Sequence, residues 1–203
     1  MASRAYPLVA AVLLALLHLL ANRMTFLDVI PRSRWLSLAG GISVAYVFVH
    51  LLPELAEAQE TVVATSGALP FAERHAYLLA LAALVVFYGV ERLSQRSASD
   101  TAQDGDRGTA APVAWLSIGS YAAYNALIGY VLTQREEGLA TFAFAMAVHF
   151  VVNDHGLRLH HRRIYHRYGR WLCAGAILVG WAVGVTTTIP EGVLGMVLAF
   201  LAG

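Results

Sequence analysis

The chain has 203 residues, of which 58% are hydrophobic and only 13% charged, with a formal net charge of +1. A soluble domain is about 25% charged, so this composition cannot cover a water-soluble globule and predicts a polytopic integral membrane protein. The single cysteine, Cys173, excludes a disulfide or a thiolate metal cluster within one chain. The near-neutral charge gives no indication of a nucleic-acid partner.

Six apolar stretches are long enough, or nearly long enough, to cross a bilayer, which takes about 20 residues. They are residues 6–22, 35–55, 76–93, 112–132, 138–157 and 168–186. A seventh begins near Ile189. Only helices or closed barrels satisfy backbone polar groups in lipid, and these stretches are too long for barrel strands. The sequence therefore predicts an all-α transmembrane helical bundle with about seven spans.

The last apolar stretch is short. As a helix, residues 189–203 would reach roughly 22 Å, whereas the hydrocarbon core of a bilayer is about 30 Å thick. We therefore expect the chain to be incomplete, with the rest of the seventh span and an eighth span missing.

Arginine is distributed unevenly along the chain. The chain has no lysine, and eleven of its 14 basic residues follow the first, third and fifth spans, while three lie elsewhere. Cytoplasmic loops carry an excess of basic residues, so we expect an inner-membrane protein with its N-terminus outside. Residues 94–111 are small and polar and predict a cytoplasmic linker. It would join a three-span unit, residues 1–93, to a second unit, residues 112–203, that contains the candidate site.

Polar residues interrupt the second span. His50 and Glu54 are four residues apart and share one helical face, and Pro53 removes a backbone donor beside them. Together they could bind a divalent cation. The simpler interpretation places Glu54 at the outer membrane interface and His50 as a capping group.

The fourth span carries Tyr121 and Asn125 on one face, with Gly119 and Gly129 thinning the helix. Small residues let membrane helices approach closely, and an amide can form a hydrogen bond across them. Asn125 is explained equally well as a helix-packing group and as a metal ligand.

The fifth span has the densest set of candidate ligands. His149 and Asn153 share a face, and Asp154 is one position further round the helix. Imidazole, amide and carboxylate together suit first-row divalent ions, although an exposed pair between Asp154 and Arg158 is an alternative. The basic segment that follows predicts an anchor for anionic lipid head groups, with metal gathering as a second option. Its members include His160, His161, Arg162, Arg163 and His166.

These motifs resemble those of the ZIP family of divalent metal transporters, which have eight spans, an outside N-terminus and a variable cytoplasmic loop after the third span. The second span, GISVAYVFVHLLPELAE, is similar to the family's H-x-x-P-E span. Residues 124–129 correspond to its fourth-span motif H-N-x-P-E-G, and residues 149–154 to its fifth-span motif H-E-x-P-H-E. The resemblance implies transport of a zinc-class or iron-class cation towards the cytoplasm. The implied metal ligands are His50, Glu54, Asn125, His149, Asn153 and Asp154.

The family's motifs are kept only in part. The matching positions are Asn125, Gly129, His149 and Asp154. In the fourth span, Tyr124, Leu127 and Ile128 replace the family's His, Pro and Glu. The lost glutamate would bridge two metals in the family, so the departure implies a single weaker site or no site. We expect four candidate ligands to converge between the fourth and fifth spans, namely Asn125, His149, Asn153 and Asp154.

Two other functions share parts of this pattern. A ZIP-like protein that has lost transport, and serves in metal binding, sensing or assembly, is favoured by the missing glutamate and prolines. A histidine-box hydroxylase needs H-x-x-x-H or H-x-x-H-H clusters, whereas His155 and His160 are five residues apart, as are His161 and His166. Hydrolase and nucleotide-binding motifs are absent from the sequence. We therefore expect no enzyme and no organic cofactor. The expected partners are a divalent cation and the lipid bilayer, and a homodimer is compatible with the sequence.

Overall fold

The computed structural model describes residues 2–23, 32–65, 75–103, 111–135 and 137–202. Within these ranges the chain is helical and contains no β-strand, which confirms the all-α class. The helices are α1 Ala2–Leu20, α2 Arg32–Tyr46, α3 Leu52–Thr65, α4 His75–Gln103, α5 Ala111–Gln134, α6 Leu139–His160, α7 Arg162–Ile164, α8 Arg170–Thr186 and α9 Glu191–Ala202. Single π turns, Val47–Leu51 and Tyr165–Gly169, join α2 to α3 and α7 to α8.

Three helical runs in the described ranges are long and apolar enough to cross a membrane, namely Arg34–Glu57, Ala76–Ser97 and Arg162–Thr186. The runs Ala5–Leu20 and Val193–Ala202 are apolar but shorter. Helices α5 and α6 have 24 and 22 residues but are interrupted by polar side chains. Membrane-helix character is therefore supported for three of the predicted stretches.

The first ten residues of the predicted linker are helical. Residues 94–103 continue α4, and residues 104–110 lie outside the described residues. The Ser94 and Ser117 hydroxyls lie 2.6 Å apart, which ties α4 to α5 at this point. Serine, alanine and glutamine are acceptable helix formers, so a polar composition alone did not end the helix.

The π turn between α2 and α3 lies directly before Pro53. The amide of Leu52 donates to the carbonyl of Val47, five residues back instead of four. Proline has no amide hydrogen and its ring clashes with the carbonyl four residues earlier, and a π turn is one way to absorb that conflict. The predicted interruption of the helix at Pro53 is therefore present.

Helix α5 packs most extensively against α8. A Cβ atom on Gly129 would lie 2.1 Å from the Ile177 carbonyl oxygen, and one on Gly180 would lie 1.9 Å from the Ala126 carbonyl oxygen. Only glycine fits at these two positions. Gly119, expected from the sequence to thin α5 in the same way, has no such neighbour within 4 Å.

Helix α6 lies against α1 on one side and α2 on another. It meets α5 through aromatic contacts, with ring centroids 6.0 Å apart for Tyr121 and Phe150 and 5.7 Å apart for Tyr124 and His149. The candidate residues of α6 therefore face several different helices.

Candidate metal site

Helix α6 presents two polar faces. Successive residues of an α-helix are about 100° apart, so Asn153 and Asp154 point in different directions. His149 and Asn153 line a cavity. The adjacent face, with Phe150 and Asp154, is buried against α1.

The cavity has a volume of about 630 Å³ and lies between α2, α4, α5, α6 and α9. It is large enough for a hydrated ion, since each water takes up about 30 Å³ of liquid. Apolar residues form most of its wall, including Val47, Phe87 and Met146. The polar side chains that line it are Ser43, Tyr46, Glu91, Ser117, Ser120, Tyr121, Tyr124, His149, Asn153, His160 and His161.

His149 and Asn153 form a pair on the cavity wall. The Asn153 amide nitrogen lies 2.8 Å from the His149 Nε2 atom, which makes it the donor to a neutral imidazole. The adjacent Tyr124 hydroxyl donates to the Leu201 carbonyl of α9 at 3.1 Å. The Nε2 lone pair is therefore directed along the cavity wall, where a metal ion could replace the amide hydrogen.

The other polar face of α6 forms a buried pair with α1. The His18 Nδ1 atom lies 3.0 and 2.9 Å from the two Asp154 carboxylate oxygens. Both side chains are almost fully buried, at 0% and 2% exposure, and the Phe150 ring lies 4.7 Å from the His18 ring. One turn further on, Arg158 donates to the Ala21 carbonyl. The Asp154 carboxylate therefore binds His18 and connects α6 to α1.

Asn125 is fully buried near the Cys173 thiol of α8. Asn125 does not line the cavity that contains His149 and Asn153. The structure therefore places it on the α8 side of α5, away from the predicted cluster.

The two candidates of the second span lie apart from the cavity wall. Both carboxylate oxygens of Glu54 are engaged by Arg135, at 2.9 and 2.5 Å, and this guanidinium lies 4.3 Å from the Phe142 ring. His50 is exposed and stacks on Tyr46 at 4.8 Å. Glu54 could bind a metal only after releasing Arg135.

The six predicted ligands therefore do not form one cluster in this conformation. His149 and Asn153 are together, Asp154 is paired with His18, Asn125 is buried elsewhere, and Glu54 is paired with Arg135. In the described part of the chain, no group of three or more His, Cys, Asp or Glu side chains could hold a metal ion.

Sequence reasoning missed His18. It lies in an apolar run, and its partner is 136 residues further along the chain. Ionisable residues inside membrane helices are costly and usually pair with one another. This rule could have identified the pair from the sequence, because Asp154 also lies in a mostly apolar helix and needs a partner.

Comparison of the chain with protein-family models, curated proteins and solved structures found no match. The ZIP resemblance therefore rests on the residues quoted above and stays a prediction.

Proposed function

We propose that the chain is a ZIP-like integral membrane protein that binds a divalent metal cation in the cavity and transports it towards the cytoplasm. The observation that carries the proposal is the His149–Asn153 pair on the wall of a cavity inside a helical bundle. Neutral imidazole is the commonest protein ligand for such ions, and an amide oxygen can join it. Zinc-class and iron-class cations fit this ligand chemistry best.

A membrane location agrees with the surface of α4. Its outward face exposes large apolar side chains in successive turns, as a helix facing lipid does. These side chains are Leu78, Leu81, Leu84, Val85 and Tyr88. Together with the other apolar helices and the polar-interrupted α5 and α6, they support a bundle of about seven spans.

The excess of arginine after the odd-numbered spans supports an outside N-terminus. We expect a cysteine introduced by Ser99→Cys to resist a membrane-impermeant maleimide added to intact cells. Glu137→Cys, in the exposed turn before α6, is expected to react. The native Cys173 is buried and should give little background. Efficient labelling at position 99 would overturn the orientation.

Metal uptake tests the function directly. Purified protein in proteoliposomes is expected to accumulate at least one of zinc, iron(II), manganese and cadmium, and His149→Ala is expected to reduce the initial rate at least about tenfold. A direct ligand should matter at least as much as an outer-shell partner, whose loss costs about 10- to 100-fold. The readout is radioisotope or fluorescent-dye uptake at fixed protein content.

His166→Ala is the matched control for this experiment, because it also removes one histidine but from an exposed position outside the cavity. Asp154→Ala is less informative, since it also removes the buried partner of His18. Normal uptake by His149→Ala would remove this residue from the transport path.

A second candidate is a ZIP-like protein that binds metal for sensing or assembly without transporting it. It is favoured by the lack, among the described residues, of three convergent metal-binding side chains of the types His, Cys, Asp and Glu. Stoichiometric metal binding in detergent without any uptake into proteoliposomes would favour this function over transport.

A further inference from the structure

Arginine and aromatic side chains share one surface where α7 leads into α8. Its members are Trp115 of α5 together with Arg167, Tyr168, Arg170 and Trp171, and we call it the Arg–aromatic surface. All three of its aromatic side chains are exposed. Tryptophan and tyrosine are enriched at membrane–water interfaces, where one end of the ring system is apolar and the other polar. The surface therefore has the composition of a site at the level of the lipid head groups.

Two helices build this surface, because the π turn Tyr165–Gly169 lies against the first half of α5. A Cβ atom on Gly169 would lie 3.2 Å from the Ile118 Cδ1 atom. Trp115 is one helical turn before Ile118, and its ring centroid lies 6.0 Å from that of Tyr168. The basic segment is thus joined to an aromatic side chain that lies about 50 residues earlier in the chain.

Each of the two arginines lies over a ring. The central guanidinium carbon of Arg167 is 5.1 Å from the Tyr168 ring centroid, and that of Arg170 is 5.3 Å from the Trp171 ring centroid. A guanidinium held by a ring keeps its N–H donors available, and these donors match phosphate oxygens in pairs. Residues three positions apart are neighbours on a helix surface, so both arginines can reach one phosphate.

The charge around this surface is positive. Residues 155–190 contain five arginines and no aspartate or glutamate. Within the described ranges, neither Arg167 nor Arg170 has an ion-pair partner. Basic clusters beside a membrane span attract anionic lipid head groups, and basic pockets between helices bind such head groups directly. The charge is therefore complementary to an anionic lipid.

An apolar face of α8 continues from the same surface. Leu172, Val179 and Val183 are exposed, and they recur at intervals of seven and four residues, which places them on one side of the helix. This face can contact acyl chains along its length, whereas a soluble anion would gain nothing from it. The combination of arginines and an apolar face favours a phospholipid over free phosphate.

We propose that the Arg–aromatic surface binds one phospholipid with a negatively charged head group. Its phosphate contacts Arg167 and Arg170, and its acyl chains lie along the exposed face of α8. This lipid site does not depend on the proposed metal transport, because none of its five residues lines the cavity.

Quenching of tryptophan fluorescence by brominated lipids tests the site in the full-length protein. The protein is reconstituted in phosphatidylcholine vesicles that contain brominated phosphatidylglycerol or, at the same mole fraction, brominated phosphatidylcholine. Trp115 and Trp171 are two of the four tryptophans and lie within the surface. The wild type is expected to be quenched more strongly by the anionic lipid. Arg167→Gln and Arg170→Gln should each lower the relative affinity for this lipid about fivefold, the effect of one basic residue near a membrane surface.

Arg96→Gln is the matched control, because it removes an exposed arginine from α4 close to the Ser94–Ser117 contact with α5. It carries the same charge change but lies outside the Arg–aromatic surface, so the lipid preference should be kept. Comparing the two brominated lipids within each variant corrects for any change in the tryptophan environment, and circular dichroism confirms that each variant is folded.

Three results would overturn the lipid site. Equal quenching of the wild type by both brominated lipids would show that no anionic lipid is preferred. An effect of Arg96→Gln as large as that of Arg167→Gln and Arg170→Gln would reduce the preference to a general surface charge. Displacement of the brominated phosphatidylglycerol by inorganic phosphate would mean that the surface binds a free anion instead of a lipid.

Discussion

His18→Leu is expected to destabilise the bundle strongly. It leaves the Asp154 carboxylate, which is 2% exposed, without its partner on α1. Removing one member of a buried ion pair costs about 3–5 kcal/mol. The measurement is unfolding of the detergent-solubilised protein, followed by circular dichroism during heating or denaturant titration.

A double-mutant cycle shows how strong the pair is. Leucine has the branching of aspartate, so the cycle combines His18→Leu with Asp154→Leu. The double variant is expected to recover most of the lost stability, because replacing both partners of a buried pair by apolar groups is often nearly neutral. A coupling energy at least as large as the loss caused by His18→Leu indicates an ionised pair, whereas about 0.6 kcal/mol is the average for polar pairs in a membrane bundle.

The matched control is His166→Leu, which removes an exposed histidine and should leave the unfolding transition unchanged. If the two single changes simply add in the double variant, Asp154 and His18 are not coupled. In that case the carboxylate would have to be stabilised by other groups.

The sequence predicted which helices carry polar groups but not what those groups contact. Spacing of four residues correctly placed His149 and Asn153 on one face of α6, where they form a hydrogen bond at 2.8 Å. The same geometry separates Asp154 from Asn153 by about 100°, and in the structure Asp154 contacts His18 of α1 instead. The spacing could not predict which neighbouring helix or cavity each polar face of α6 would contact.

Helix neighbours were equally hard to infer. The connection between α5 and α6 is short, yet α5 packs most extensively against α8. The close packing of α5 against α8 depends on Gly129 and Gly180, which let the backbones of these two helices touch. Loop length limits how far apart two helices can be, whereas the small residues on each face decide which backbones come closest.

Gly180→Ala is expected to be strongly destabilising although it adds one methyl group. The new Cβ atom would lie 1.9 Å from the Ala126 carbonyl oxygen and 2.9 Å from the Ala126 Cα atom. Neither contact can be relieved by a side-chain rotation, because both atoms belong to the backbone of α5. Overpacking usually lowers the free energy of unfolding by about 1–3 kcal/mol. Because this variant must separate two helices, we expect its loss of stability to lie at or above the upper end of that range. The measurement is again the unfolding transition in detergent.

Gly175→Ala provides the matched comparison within the same helix, since a Cβ atom on Gly175 meets no such neighbour within 4 Å. An exposed glycine inside a helix is about 0.5–1 kcal/mol less stable than alanine, so Gly175→Ala should raise stability slightly. The two substitutions are chemically identical and are expected to shift the transition in opposite directions. Equal shifts would mean that α5 and α8 do not touch at Gly180.

Disruption of the contact between α5 and α8 would also move α5, which carries Tyr124 beside His149. The Gly180→Ala variant is therefore expected to lose metal binding as well as stability.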